Sequence, residues 1–167
     1  SHFERAIKID PSLPRVYAFL GNLHLLQDDF VKAREYYNLG LAKRLPNTAP
    51  FGPAAGLAFT YVYERKWDDA IKTMEQLKAD YVKAGNTAAF PEVFLWNSIA
   101  RMYLESGRPE QALEAYKKGY ESVPGSNLDE QQKTIWRGRL LHGTGRSLAK
   151  LGRHEEAWKE AETIKKM

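Results

Sequence analysis

The sequence predicts an all-α chain of antiparallel helical hairpins stacked side by side, and three observations carry the prediction. Ala33, Ala70, Ala112 and Ala157 each follow by sixteen residues an apolar or aromatic residue, respectively Tyr17, Ala54, Trp96 and Leu141. Inside each copy the apolar residues recur at three- and four-residue steps, the spacing that gathers them on one face of a helix. Glycine and proline then interrupt the pattern between the two halves of the clearest copy, at Gly107 and Pro109. A constant spacing inside a changing outer period marks an internal repeat, a signal that takes precedence over local ones.

The third copy defines the hairpin. Trp96, Ile99, Ala100 and Tyr103 share one helical face, which is the buried one. Ser106-Gly107-Arg108-Pro109 ends the helix, since glycine reaches left-handed backbone angles and proline suits the first turn of the next helix. Ala112, Tyr116 and Gly119 mark the inner face of the second helix, and Pro124 closes the copy. Small side chains at Ala100 and Ala112 allow close backbone approach while aromatic rings fill the surrounding volume. The first copy carries Tyr17, Leu20, Gly21 and His24, then Phe30, Ala33, Tyr37 and Gly40. The second carries Ala54, Leu57, Ala58 and Tyr61, then Trp67, Ala70, Met74 and Leu77. The fourth keeps Leu141, Gly145, Leu148, Gly152, Ala157, Ala161 and Ile164.

These copies resemble the tetratricopeptide repeat, whose pattern is Trp, two residues, Leu-Gly, two residues, Tyr, then Ala, three residues, Phe, and a closing Pro. The fourth copy is the most degenerate, with Thr144 where the pattern has leucine. The resemblance implies a right-handed superhelical solenoid of helix-turn-helix repeats, some lengthened, that binds protein and does no chemistry. One elongated domain is expected over 1–167: the end of a truncated repeat at 1–11, with Phe3, Ala6 and Pro11, then repeats at 12–47, 51–85, 90–124 and 126–167. An opening inside a second helix reads as part of a longer solenoid.

The outer period grows along the chain, 34 from Phe3 to Tyr37, 37 to Met74, 42 to Tyr116 and 45 to Ala161. All the added residues fall between hairpins. The second helix of repeat 2 meets no breaker before Gly85, so it is expected to run long, and Pro91 to start the next. Ser126 with Asp129 is read as a capping box opening a helix of about 25 residues, roughly 37 Å, that reaches to about Leu151.

Composition supports one continuous core, with 43% hydrophobic and 12% aromatic residues. There is no apolar run near ~18 residues and no signal-type segment. The absence of cysteine removes disulfides, thiolate catalysis and cysteine-ligated zinc, and fits the cytoplasm and a secreted setting alike. A net charge of +4 with pI near 9.2 is mildly basic, short of the clustered excess of a nucleic-acid binder, so no nucleic acid is expected as partner. Mixed runs such as Glu155-Glu156-Ala157-Trp158-Lys159-Glu160 have the pattern of a solvated helix face.

In a superhelix of hairpins the first helices line the concave side. The helical phase assigns to that groove Arg15, Ala18, Asn22 and Leu25, then Ala55, Phe59, Val62 and Tyr63. Phe94, Asn97, Arg101 and Glu105 follow, and finally Arg139, His142, Arg146 and Lys150. The early groove is thus apolar and aromatic and the late groove basic. Arg139, His142 and Arg146 form one stripe over about two turns, and arginine's planar fork suits carboxylates and phosphates. Two bland alternatives stay open. The stripe is either ligand-binding or solvated, with Glu105 available for salt bridges, and the aromatics are either groove or core. The best groove candidates are Asn22, Phe59, Tyr63, Phe94, Asn97, Arg101, Arg139, His142 and Arg146.

Some tetratricopeptide domains clamp a C-terminal carboxylate with lysine, asparagine and arginine. Asn22 matches that pattern, but Ala18, Gly56, Phe94 and Ser98 stand where other clamp residues belong, which argues against this function. Catalytic patterns fail as well. His24 stands where the repeat has tyrosine and reads as a hydrogen-bonded packing residue. His154-Glu155-Glu156-Ala157-Trp158 has tryptophan in place of a second zinc ligand, and Gly143-Thr144-Gly145-Arg146-Ser147 follows no strand, so its small residues serve helix packing. The expectation is a non-enzymatic scaffold without cofactor or metal, binding a protein or peptide whose acidic groups would suit the stripe. A regulatory or substrate-presenting arm of a larger enzyme or transcriptional regulator, and self-association through the N-terminal repeat face, are the alternatives.

Overall fold

Why the sixteen-residue spacing holds is visible in the turns. The computed structural model describes residues 5, 13–43, 51–83 and 92–167. The half-repeat expected at 1–11 (apart from Arg5), Gly85 and Pro91 lie outside them. Eight helices are found among the described residues: α1 Pro14–Leu25, α2 Phe30–Ala42, α3 Phe51–Tyr63, α4 Trp67–Lys83, α5 Glu92–Glu105, α6 Pro109–Ser122, α7 Glu130–Lys150 and α8 His154–Lys165. They pair as four hairpins, and no strand occurs among these residues.

All four hairpin turns share one geometry. The N–H groups of Asp29, Lys66, Arg108 and Arg153 donate five residues back to the carbonyls of His24, Tyr61, Tyr103 and Leu148, at 3.0, 2.8, 2.9 and 2.9 Å. This is the long-range bond of a Schellman termination, which needs a left-handed residue beside it. Asp28, Arg65, Gly107 and Gly152 fill that role with φ of 57, 58, 78 and 74°. The same four turn residues then accept from the N–H of Ala33, Ala70, Ala112 and Ala157 as the next helix begins. The leading apolar residue therefore sits seven positions before the bonded carbonyl, five positions span the turn, and four more reach the alanine. Insertions elsewhere leave the interval untouched.

The chain divides into two compact units, 1–88 and 89–167. In unit 1, α1 packs on α2, α2 on α3, α3 on α4, and α1 also on α3. Its core holds Tyr17, Leu20, Ala33, Tyr37, Leu57, Ala58, Ala70, Met74, Leu77 and Tyr81. Tyr37 drives one edge of its ring between two glycines. A Cβ added at Gly21 or Gly56 would lie 2.4 or 2.3 Å from its Cε1, so a ring of this size fits only where both first helices lack side chains. In unit 2, α5 packs on α6, α6 on α7, α7 on α8, and α5 also on α7. Tyr116 takes the corresponding place, and a Cβ at Gly143 would lie 2.2 Å from its ring. Sixteen residues before Tyr116 stands Ala100, fully buried. Buried hydroxyls bond within their own helices, Thr60 to the Leu57 carbonyl and Ser147 to that of Gly143.

Three expectations need correction. The capping box of α7 is formed by Asp129 with Gln132, each side chain bonding the other's backbone N–H, while Ser126 donates to the Val123 carbonyl instead. With that start α7 has 21 residues, about 31 Å, rather than 25. His24 packs as expected, stacked on Tyr36 with centroids 5.3 Å apart, but its buried Nδ1 has no hydrogen-bond partner and lies 3.7 Å from Asp29.

Candidate functional site

In unit 1 the first-helix face is less open than its phase suggested. Ala18 and Ala55, expected in the groove, are buried, because α1 and α3 pack closely enough there to cover small side chains. Asn22 is exposed, and its Oδ1 accepts a 2.7 Å hydrogen bond from the Tyr37 hydroxyl. Burial pushes the Tyr37 hydroxyl up to about 12. Phe59 is exposed, whereas Tyr63, although 65% accessible, stacks on Phe30 at the start of α2, with centroids 6.2 Å apart and planes within 12°. Beside it Arg34 pairs with Glu64 and lies over the Tyr61 ring, and its guanidinium holds the Glu64 carboxyl below the usual range. An open cavity of about 830 Å³ lies elsewhere in this unit, bounded by Leu41, Leu57, Tyr61, Lys72 and Gln76, and none of the expected groove residues lines it.

In unit 2 the first helices α5 and α7 run side by side in one direction, tied at two levels. At one level the Phe94 ring meets Trp136 edge to face, with centroids 6.0 Å apart, and the Arg139 guanidinium lies 5.0 Å over the Trp136 ring. At the other, Arg146 Nη2 donates to Glu105 Oε1 at 3.0 Å. The ties are eleven residues apart on α5 and ten on α7, about 15 Å along the helices. Between them Arg101 and His142 are exposed and Asn97 is half-buried. Arg101 makes no ion pair among the described residues. Beneath lies Tyr116, 1% exposed, whose hydroxyl feels Arg146, Arg101 and Glu105; burial dominates and raises it above its ordinary value.

Unit 2 therefore brings together Phe94, Asn97, Arg101, Arg139, His142 and Arg146, while Asn22, Phe59 and Tyr63 belong to unit 1. Trp136 escaped the sequence reading, although it stands three residues before Arg139 and hence on the same stripe. Phe30 escaped because its partner comes from the neighbouring hairpin. Among the described residues no cluster of three or more His, Asp or Glu side chains could hold a metal ion, and no helix is long and apolar enough to cross a membrane.

Residues 56–127 match a family model described as tetratricopeptide repeat. No curated protein matches the chain in sequence. Among solved structures, BtubC (BKLC) from P. vanneervenii is similar with a TM-score of 0.76 at 17% identity, covering 92% of this chain and 62% of that one. PilW, a type IV pilus biogenesis factor, is similar with a TM-score of 0.71 at 16% identity, covering 97% and 66%. The protein MamA has a TM-score of 0.66 at 18% identity, covering 97% and 76%. At such identities the likeness is one of fold.

Proposed function

We propose, from the tetratricopeptide assignment that the family match and the helical-repeat fold support, that this chain is an interaction module whose α5–α7 face binds an acidic peptide segment. Tetratricopeptide repeats generally mediate protein–protein interaction, and the fold is typically non-catalytic. The observation that carries the finer reading is the strip in unit 2, with an aromatic pair at one end and guanidinium groups along the rest. A peptide in extended form advances about 3.3 Å per residue, so roughly five residues span the 15 Å between the two ties. An apolar or aromatic side chain would seat against Phe94 and Trp136. Acidic side chains four or five residues on would meet Arg101 and Arg146, where paired charges favour partner selection and fast association.

The test is a labelled peptide with one phenylalanine followed, four residues on, by two glutamates, beside a version with glutamines. Wild-type protein should prefer the glutamate peptide. Arg101→Glu and Arg146→Glu should each weaken it at least about tenfold, roughly 1.4 kcal/mol, with circular dichroism unchanged. Equal binding of the two peptides by wild type would overturn the acidic-peptide reading.

A further inference from the structure

We infer that Glu105 is an internal occupant of the anion site on α5 and α7, a carboxylate that the acidic group of a ligand replaces on Arg146. This rests on the acidic-peptide reading above and adds how the affinity of that face is set.

The Arg146–Glu105 bond leaves most of the guanidinium unused. One Nη2–Oε1 contact of 3.0 Å engages one of five N–H donors, and the two side chains remain 44% and 48% exposed. A ligand carboxylate could therefore take both faces of the fork in the bidentate arrangement that this internal pair does not adopt. Glu105 also follows Arg101 by four residues on α5, a position where an arginine-first pair is the weaker orientation, and it reaches across to α7 instead. Arg101 is thereby left without a carboxylate among the described residues, beside a site already fitted with one. The Tyr116 hydroxyl lies in the field of all three groups. Arg101, Arg139 and Arg146 against Glu105 leave the strip two charges positive with His142 neutral. Exchange of one carboxylate for another thus preserves every arginine interaction and adds contacts. An exposed pair is a weak competitor, so its removal is worth at most about fivefold in affinity.

The experiment titrates the labelled glutamate peptide into wild type, Glu105→Gln, Arg146→Gln and the double variant, with helicity checked by circular dichroism. Glu105→Gln should bind about two- to fivefold tighter than wild type and Arg146→Gln about tenfold weaker. The double variant should match Arg146→Gln, because without the arginine there is no internal pair to displace. Glu105→Gln binding no tighter than wild type, while Arg146→Gln is weakened, would overturn the exchange and leave the peptide surface standing. A gain from Glu105→Gln that persists in the double variant would overturn it too, as a general charge effect. Equal binding by wild type and Arg146→Gln would remove the acidic-peptide reading itself.

Discussion

Unit 1 and unit 2 build the same hairpin with different residues, and the differences separate what the fold demands from what it tolerates. Both use the same turn, yet unit 1 puts Asp28 and Arg65 in the left-handed conformation where unit 2 puts Gly107 and Gly152. Both insert a second-helix tyrosine beneath the first helices, yet unit 1 admits Tyr37 between two glycines, while unit 2 seats Tyr116 on Gly143 with Ala100 opposite in sequence. The hydroxyl of Tyr37 is tied to Asn22, while that of Tyr116 lies under arginines. Backbone geometry and ring volume are therefore fixed requirements. The chemistry around the ring's hydroxyl is free to vary, and there the units diverge, with the Asn22 amide in one and Arg101, Arg146 and Glu105 in the other.

The largest effect should come from filling a ring seat. Gly143→Ala should destabilise unit 2 by about 1–3 kcal/mol, since the added Cβ meets a buried ring that has no room to retreat. On the same helix Gly138 has nothing within 4 Å, so Gly138→Ala should stabilise by about 0.5–1 kcal/mol through helix propensity. Denaturant midpoints of the two variants would show opposite signs; shifts of the same sign would break the packing account. A smaller effect is expected at the turns. Gly107→Ala should cost about 1 kcal/mol, while Arg65→Gly should be neutral or gain up to about 1 kcal/mol, which thermal melting resolves.

The smallest difference lies at the hydroxyls. Tyr37→Phe should cost about 0.5–1.5 kcal/mol by losing the bond to Asn22, and Tyr116→Phe less, because no described acceptor holds its hydroxyl. Alkaline unfolding sharpens the point. Folded Tyr37 keeps its proton up to about 12 while an unfolded tyrosine loses it near 10, so its contribution is fully present below pH 10 and is lost as pH rises towards 12. Tyr37→Phe should flatten the stability curve over that window, and an unaltered curve would detach the alkaline loss from this group.

Turns and close-packing faces were readable in advance, whereas the cap of α7 and the pairings made between hairpins were not. Gly107 with Pro109 announced a break, and Ala100 with Ala112 announced close packing, because local backbone preference and side-chain size act over short distances. The cap of α7 was misread by three residues, since both Ser126 and Asp129 can accept and only backbone angles choose between them. Ala18 and Ala55 looked exposed by helical phase, but the α1–α3 approach covers them. Trp136 and Phe30 owe their roles to rings on neighbouring helices, Phe94 and Tyr63.

Reading residues alone was thus enough for the all-α repeat and its sixteen-residue interval, because a Schellman turn and a small residue at the crossing are local necessities. The side-by-side course of α5 and α7 was needed to bring Phe94 against Trp136 and Glu105 to Arg146, pairs drawn from residues 42 and 41 positions apart. A spacing along the chain reports the rotation of a helix. The meeting of charges across two helices depends on how their faces are rotated against each other, and packing supplies that rotation.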